Sequence, residues 1–203
     1  MIINFRKTNF WGVAAELTSC PESDRPEVVL SGKSNVGKSS LMNALADNRK
    51  LARVSQTPGK TRLVVYFDVD SLIYIADLPG YGYAKAPKDI KDKFAKLADQ
   101  YFTSGRKIAL TLHLIDIRHE PSKEDQHMLA YMNEQQIPYF IVFVKCDKFS
   151  TAQLNKRLSE QMDYFDIQDK AHCFAVSSER KMGLDDLRDA ISAFIFPEPS
   201  TAN

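Results

Sequence analysis

The sequence predicts an α/β fold in which a mostly parallel sheet carries helices on both faces. Two observations predict it: short apolar runs recur along the chain, and the segments between them place apolar residues at helical spacing. Short apolar runs are typical of buried strands, and strands that alternate with helices indicate a parallel sheet. The chain of 203 residues is long enough for one domain with a sizeable core.

About six strands are predicted, one of them antiparallel. The run EVVLS from Glu27 to Ser31 indicates a buried strand. The runs Leu63 to Val69 and Leu72 to Asp77 flank Asp70-Ser71, a tight turn, and this arrangement predicts an antiparallel hairpin. Further strands are predicted over Ile108 to Asp116, Tyr139 to Val144 and His172 to Ser177.

Helices are predicted between these strands. One begins near Lys38, and another runs from Pro87 to about Phe102, where Leu97 and Tyr101 continue a helical spacing. Others are expected over Ser122 to Gln135, from near Thr151, and over Leu184 to Phe196. Residues 1–197 are predicted to form a single domain with a short N-terminal extension, and the polar residues 198–203 a disordered tail.

Composition excludes several classes of protein. The net charge is +1, so contact with nucleic acid would need a local basic patch. The three cysteines form no C-x-x-C pair and the four histidines show no metal-binding spacing, which argues for a reducing compartment and against a zinc site. No apolar run approaches the roughly 20 residues of a membrane helix, and the N-terminus lacks a secretion signal. We therefore expect a cytoplasmic protein without membrane association.

A phosphate-binding loop is predicted after the first strand. Residues 32–39 read GKSNVGKS and match G-x-x-x-x-G-K-[ST] between a strand and a helix. The glycines let backbone N–H groups face a phosphate, Lys38 reaches the outer phosphates, and the Ser39 hydroxyl ligates Mg²⁺. The alternative is a turn that only caps a helix. The predicted phosphate-binding residues are Gly32, Lys33, Ser34, Asn35, Val36, Gly37, Lys38, Ser39 and Ser40.

Two further segments are predicted to complete the phosphate and metal site. Asp77 opens Asp77-Leu78-Pro79-Gly80, in which the aspartate can hold the Mg²⁺ shell through water and the Gly80 N–H can reach the terminal phosphate. The alternative is a plain turn. The second GKT, residues 59–61, cannot end another phosphate loop because Val54 stands where that motif needs glycine. A loop there could instead bring Thr61 to a nucleotide-bound metal.

A base-recognition loop is predicted after the Tyr139 to Val144 strand. Lys145-Cys146-Asp147 follows it, and a carboxylate there can accept hydrogen bonds from the ring N–H and exocyclic amine of guanine. Adenine offers no donor at that ring nitrogen, so Asp147 favours guanine. The Lys145 stem can cover the base, and Ser177-Ser178 can present a backbone N–H to the guanine carbonyl. The alternative is a charged turn after a strand.

These elements, in this order, resemble the translation-factor-related GTPases. GKSNVGKSSLMNAL, SQTPGKTR, DLPGYGYA, KCD and VSSERKMGLDDL are similar to the EngB (YihA/YsxC) family of Era-like P-loop GTPases, over roughly residues 4–197. The resemblance implies a three-layer GTP-binding fold, Mg²⁺ as cofactor, and roles in ribosome assembly, cell division and septation. It also implies that the partners are GTP, GDP and a ribosomal subunit or its RNA, and we expect a monomer.

The resemblance carries site roles to matching residues. Ser39 and Thr61 ligate Mg²⁺, and Lys38, Thr61 and Gly80 are the implied catalytic residues. The first switch comprises Gly59, Lys60, Thr61, Arg62 and Leu63; the second opens with Asp77 to Gly80; the base loop comprises Val144, Lys145, Cys146, Asp147, Val176, Ser177 and Ser178. One position departs from the family, which usually has Thr or Asn before Lys-x-Asp. Val144 stands there and puts nucleotide affinity, more than guanine selectivity, in question.

Hydrolysis is expected to be slow. Ras-type enzymes have a water-orienting glutamine after D-x-x-G, whereas Tyr81 stands here, a phenol with a reference pKa of about 10. A monovalent cation could supply the missing positive charge. Relatives with Asn at the position of Asn35 are activated by K⁺, so K⁺ is a candidate cofactor; the alternative is that Asn35 only shapes the loop.

Two functions follow from these residues. The first is a slow Mg²⁺-dependent GTPase that acts as a switch, and the second is a GTP- and GDP-sensing ribosome- or RNA-binding module with negligible turnover. An ATPase is a third possibility, against which Asp147 argues. The segment NRKLARVSQTPGKTR carries five cations and no acid, which favours RNA contact. The lysines between Lys85 and Lys96 are diluted by acids and are as well explained by a solvated helix face.

Overall fold

The computed structural model describes residues 1–52, 64–82, 96–167 and 170–198. Its centre is a seven-stranded sheet with the order β1-β3-β4-β2-β5-β6-β7. The strands are β1 (Thr8–Ala14), β2 (Glu27–Gly32), β3 (Val64–Val69), β4 (Ile73–Asp77), β5 (Ile108–Asp116), β6 (Tyr139–Val144) and β7 (Cys173–Val176).

The sheet is mostly parallel, which confirms the predicted class. Strand β2 pairs in parallel with β4 on one side and β5 on the other, and β5-β6 and β6-β7 are parallel as well. Strand β3 runs antiparallel to β4, and this is the predicted hairpin. Its two turn residues, Asp70 and Ser71, have φ values of 54° and 55°, and Leu72 N–H donates to Val69 O at 3.0 Å. Positive φ at both central residues is the geometry of a type I′ hairpin turn.

The sheet has one strand more than the predicted count of about six. The additional strand is β1, which the N-terminal extension forms. This strand pairs antiparallel with β3 at the edge of the sheet, and its register shifts between Phe10 and Gly12. Its apolar residues Phe10, Trp11 and Val13 are 36%, 43% and 46% exposed. An edge strand with a bulge and exposed apolar residues lacks the alternation of buried and exposed positions that identifies a strand in sequence.

Helices cover both faces of the sheet, as predicted. They are α1 (Lys38–Leu45), the end of α2 over residues 96–102, α3 (Lys123–Glu134), α4 (Thr151–Tyr164) and α5 (Leu184–Ile195). Ser122 caps α3 and Ser150 caps α4, each in a reciprocal capping box. The first part of the predicted Pro87 to Phe102 helix lies outside the described residues. The single-domain division and the tail after residue 197 stay predictions.

The core is divided by the sheet. On one face, Leu41 and Leu45 of α1 and Leu187 of α5 pack against β2, β5 and β6. On the other face, α2 packs against β3 and β4, and α3 and α4 pack against the far half of the sheet. Every residue of β2 is buried, because parallel strands covered on both faces expose neither side to water.

A buried polar network lies at the amino-terminal end of β2. Glu27, Tyr101 and Tyr66 are fully buried. The Tyr101 hydroxyl donates to Glu27 Oε2 at 2.6 Å, and the Tyr66 hydroxyl donates to that of Tyr101 at 2.8 Å. The Arg106 guanidinium donates to Glu27 through Nε at 2.9 Å. A buried carboxylate without a cation would be costly, so Arg106 is what allows Glu27 to occupy this position, and Tyr101 fastens α2 to the same group.

Candidate functional site

The phosphate-loop sequence lies between the end of β2 and the start of α1. Gly32 has φ 149°, and a Cβ there would lie 2.8 Å from Leu114 O, so both backbone conformation and space require glycine. Gly37 is the N-cap of α1, and no side chain caps this helix end. The backbone N–H groups of the first turn are therefore not used by a cap, as an anion site requires. Asn35 has φ 63°, a conformation that asparagine tolerates better than most residues.

Lys38 and Asp77 meet beneath this loop. Asp77 ends β4 beside Leu30 of β2, and its Oδ1 lies 3.9 Å from the Nζ of Lys38. Burial raises the pKa of Asp77 to about 6, although the charge of Lys38 opposes the shift. Asp77 Oδ1 is buried and has no hydrogen-bond partner within the described residues. A buried carboxylate oxygen without a partner among the described residues is chemically suited to Mg²⁺ or its bound water.

The segment after Asp77 lies directly on the phosphate loop. Leu78 N–H donates to Leu30 O at 3.2 Å, and Ser34 N–H donates to Tyr81 O at 2.7 Å. A Cβ at Gly80 would lie 2.8 Å from Ser34 N and 2.9 Å from the Nζ of Lys38. Only glycine permits this approach. The backbone at Gly80 is thus in contact with the residues that are predicted to hold phosphate.

Tyr81 directs its hydroxyl to α3. The hydroxyl donates to Asp125 Oδ1 at 2.5 Å and lies 3.4 Å from His113 Nε2. Its ring stacks on that of His113 with centroids 6.2 Å apart. Burial and then the charge of Asp125 raise the pKa of Tyr81 above its usual range, and burial lowers the pKa of His113 to about 4. Tyr81 is therefore a neutral, engaged phenol, and His113 is neutral at physiological pH.

Sequence reasoning missed these partners. His113 is one of the four histidines without metal-binding spacing, for which a structural or incidental role is expected, and its ring contacts Tyr81, the residue that follows Gly80. Asp125 was expected only as part of a helix, but its carboxylate also accepts from Ser122 N–H at 2.8 Å in the capping box of α3. The Ser122-x-x-Asp125 pattern was the sequence signal available for Asp125, because it predicts a capping box and so marks where α3 begins.

The base-loop sequence follows β6. Lys145 has φ 66° and ψ 32°, which lie in the left-handed region. This conformation is strained for lysine, and residues with such strain are concentrated at functional sites. Asp147 Oδ1 accepts from Ser177 Oγ at 2.6 Å, and Asp147 Oδ2 lies 2.8 Å from the Nζ of Lys148. Burial would raise the pKa of Asp147, but the hydrogen bonds from Lys148 and Ser177 hold it below its usual range. Asp147 is therefore an ionised acceptor.

The loop after β7 reaches the base loop. Ser177 is fully buried next to Val176, and its backbone exchanges hydrogen bonds with Met182 at 3.0 and 3.1 Å. This pairing closes residues 177–182 into a compact turn ahead of α5, with Ser178 partly exposed. The predicted pair Asp147 and Ser177 is thus in direct contact, although the residues come from different strands.

Val144 is a core residue in this structure. It is 3% exposed, packs in the cluster that contains α1 and α5, and pairs in register with Asp116 at the end of β5. Asp116 and Arg118 are further functional candidates that the sequence analysis did not name as site residues. Asp116 accepts hydrogen bonds from both Lys145 and Arg118.

The first-switch segment lies outside the described residues, as do Arg53 and Tyr83. Its residues are Gly59, Lys60, Thr61, Arg62 and Leu63. Before them, the basic residues Arg49 and Lys50 are exposed at the end of the turn after α1. Within the described part of the chain, no helix is both long and apolar enough to cross a membrane.

Comparison with known proteins identifies the family. The 50S ribosome-binding GTPase family matches residues 27–145. A probable GTP-binding protein EngB from Desulfitobacterium hafniense is 38% identical over 194 residues, which cover 96% of this chain and 96% of that protein. A counterpart from Streptococcus pyogenes is 38% identical over 191 residues, or 94% of this chain and 96% of the counterpart.

Solved structures share the fold. The crystal structure of a probable GTP-binding protein engB matches with a TM-score of 0.72 at 20% identity, over 85% of this chain and all of that chain. Era in complex with MgGDPNP and nucleotides 1506–1542 of 16S ribosomal RNA matches with a TM-score of 0.63 at 20% identity, over 88% of this chain and 59% of the Era chain. With its phosphate-loop fold and these full-length relatives, the chain belongs to the EngB family of GTP-binding proteins and is a GTPase.

Proposed function

We propose that this GTPase is a slow, Mg²⁺-dependent switch that acts in ribosomal subunit assembly and is needed for normal cell division and septation. The observation that carries the proposal is the meeting of three segments at one edge of the sheet: the phosphate loop, Asp77 to Gly80, and Lys145 to Asp147. The first two are in contact where Gly80 packs against the backbone of Ser34, and the Nζ of Lys145 reaches within 3.4 Å of Asn35 O in the phosphate loop.

In this proposal each segment takes one part of GTP. The N–H groups at the start of α1 and the ammonium of Lys38 hold the phosphates. Ser39 and Asp77 hold Mg²⁺, Asp77 through water, together with Thr61 from the first switch; the ion neutralises charge on the phosphates. Gly80 donates its N–H to the terminal phosphate. Because Gly80 packs directly against Ser34, we infer that gain or loss of that phosphate moves this segment.

Partner binding is proposed from charge and from the relatives. Arg49 and Lys50 are exposed and precede the first-switch segment along the chain, so we infer that a partner bound there would be sensitive to the nucleotide. The matched family is described as ribosome-binding, and the Era structure contains ribosomal RNA. Both support a ribosomal subunit or its RNA as the partner. The competing module with negligible turnover differs in one respect: its single-turnover hydrolysis would stay near zero even with subunits present.

Asp147→Asn should change base preference. The amide can donate where the carboxylate accepts, so xanthine nucleotides should bind better and GTP worse by roughly 10²- to 10⁴-fold, because two hydrogen bonds to a charged acceptor are lost. Competition between GTP, XTP and ATP for binding measures this. Asp163→Asn, which makes the same change at an exposed position of α4, is the control. A variant that keeps its GTP preference would remove Asp147 from the base site.

Tyr81→Phe should leave intrinsic hydrolysis within about threefold of wild type, because the hydroxyl bonds Asp125 and is not a base. Loss of a general base would cost about 10²- to 10⁴-fold. Single-turnover hydrolysis at saturating GTP and Mg²⁺ is the measurement, with Lys38→Ala as the inactive reference. A loss of a hundredfold or more would show that the phenol participates in the reaction.

K⁺ should accelerate hydrolysis beyond Na⁺ if the Asn35 side chain binds the cation. Because Asn35 adopts φ 63°, Asn35→Gly keeps the loop conformation while removing the carbonyl oxygen, and Asn35→Asp keeps an oxygen ligand. The K⁺ stimulation should vanish in the first variant and persist in the second. Rates in KCl and NaCl at equal ionic strength decide; equal rates in wild type, with and without subunits, would leave Asn35 with a loop-shaping role.

The double variant Arg49→Ala/Lys50→Ala should bind ribosomal subunits more weakly and reduce the salt slope of binding by about 2, one for each lost phosphate contact. Co-sedimentation with subunits, in GDP and in a non-hydrolysable GTP analogue, measures it. Lys156→Ala/Lys170→Ala removes two exposed cations elsewhere and should bind as wild type. If both double variants lose binding equally, the effect is one of net charge and not of this surface.

A further inference from the structure

A cluster of three charged side chains joins the ends of β5 and β6. The Nζ of Lys145 donates to Asp116 Oδ2 at 2.7 Å. Arg118 donates to the same carboxylate twice, from Nε to Oδ1 at 2.9 Å and from Nη2 to Oδ2 at 2.8 Å. The side chain of Asp116 is 15% exposed and that of Lys145 28% exposed. The carboxylate of Asp116 is thus hydrogen-bonded by both Lys145 and Arg118 at the edge of the site.

The sheet places this cluster. Asp116 pairs in register with Val144, so it lies beside the residue that precedes Lys145 and within reach of its side chain. Val144 itself is apolar and turned into the core. Burial would raise the pKa of Asp116, but the hydrogen bonds from Arg118 and Lys145 hold it well below its usual range. Asp116 is therefore ionised near neutral pH.

Lys145 spans from this cluster to the phosphate loop. Its Nζ lies 3.4 Å from Asn35 O, and its Cε lies 4.0 Å from the position that a Cβ would take at Gly37. An ammonium group has three donors, so it bonds Asp116 and the loop carbonyl together. The lysine stem is thereby drawn across the space between the base loop and the phosphate loop.

We propose that Asp116 is a positioning residue of the guanine-nucleotide site: it fixes the ammonium of Lys145, and Arg118 fixes Asp116. The inference rests on the proposed role of Lys145 and Asp147 in base binding. Lys145 is held in a left-handed backbone conformation that costs free energy, and a partly exposed ion pair contributes little to folding stability. The ion pair is therefore better explained by the position it gives to Lys145 than by the stability it gives to the fold.

The proposal separates Asp116 from the switch residues. Lys145 faces the base and the shared part of the phosphate loop, so loss of Asp116 should affect GDP and GTP equally. The dissociation rate should rise, because a bound nucleotide would no longer be covered by a fixed side chain. A rise of about tenfold is expected, the factor for one hydrogen bond to a charged group.

The test uses stopped-flow dissociation of fluorescent N-methylanthraniloyl GDP and of the matching non-hydrolysable GTP analogue. Asp116→Asn keeps shape and removes charge, Asp116→Ala removes both, and Lys145→Ala is combined with each. Asp68→Ala is the matched control, since Asp68 forms a 2.7 Å ion pair with Arg25 at similar exposure but on β3. Both Asp116 variants should release either nucleotide about tenfold faster and should not add to Lys145→Ala. Without nucleotide, they should lower the unfolding temperature no more than Asp68→Ala does.

Wild-type rates in Asp116→Asn and Asp116→Ala, or effects that add fully to Lys145→Ala, would overturn the positioning role. Release that accelerates as much in Asp68→Ala would make it a general consequence of losing an ion pair. Asp147→Asn, measured in parallel with xanthine nucleotides, distinguishes an error in the positioning role of Asp116 from an error in the proposed base-binding role of Asp147. If that variant switches to xanthine while Asp116 is silent, only the positioning role is wrong; if it keeps its guanine preference, the base assignment itself is wrong.

Discussion

The site depends on one constraint: β4, β2, β5 and β6 run in the same direction, so their carboxyl ends lie along one edge of the sheet. Each strand is followed at that edge by a segment with chemistry. Asp77 follows from β4, the phosphate loop from β2, Asp116 from β5 and Lys145 from β6. Residues far apart in sequence meet because the hydrogen-bonded ladders fix their strands in register. The carboxyl ends of the strands are also where open parallel sheets generally bind ligands.

Two charged side chains at this edge, Lys38 and Asp77, are largely buried. Lys38 is 8% exposed, and its Nζ lies 3.9 Å from Asp77 Oδ1, an oxygen that has no hydrogen-bond partner within the described residues. Such groups are costly in a folded protein unless something partners them. A phosphate beside Lys38 and a divalent cation beside Asp77 would each supply a partner, so the proposed nucleotide and Mg²⁺ would complete the electrostatics of the site.

Much of this could be predicted from the sequence, because the strongest signals are local. The phosphate-loop spacing, the apolar runs and the Asp70-Ser71 turn each depend on nearby residues, and the strands and hairpin were confirmed. Strand β1 could not be predicted, because its exposed apolar residues and its bulge give no alternating pattern. The partners of Tyr81 and Lys145 could not be predicted either. The capping box marks where α3 begins, but sheet register and helix placement decide that His113 and Asp125 reach Tyr81 and that Asp116 reaches Lys145.

The network around Glu27 lies at the opposite end of β2 from the phosphate loop, and it sets a boundary on motion. Tyr101 belongs to the helix that follows Gly80 and Tyr81 along the chain, and its hydroxyl is bonded to a buried carboxylate that Arg106 also holds. If nucleotide exchange displaces the segment after Gly80, as proposed, this buried network opposes displacement of Tyr101. The two ends of β2 therefore differ in chemistry: one leads into the proposed phosphate loop, and the other carries a buried carboxylate that ties α2 to the sheet.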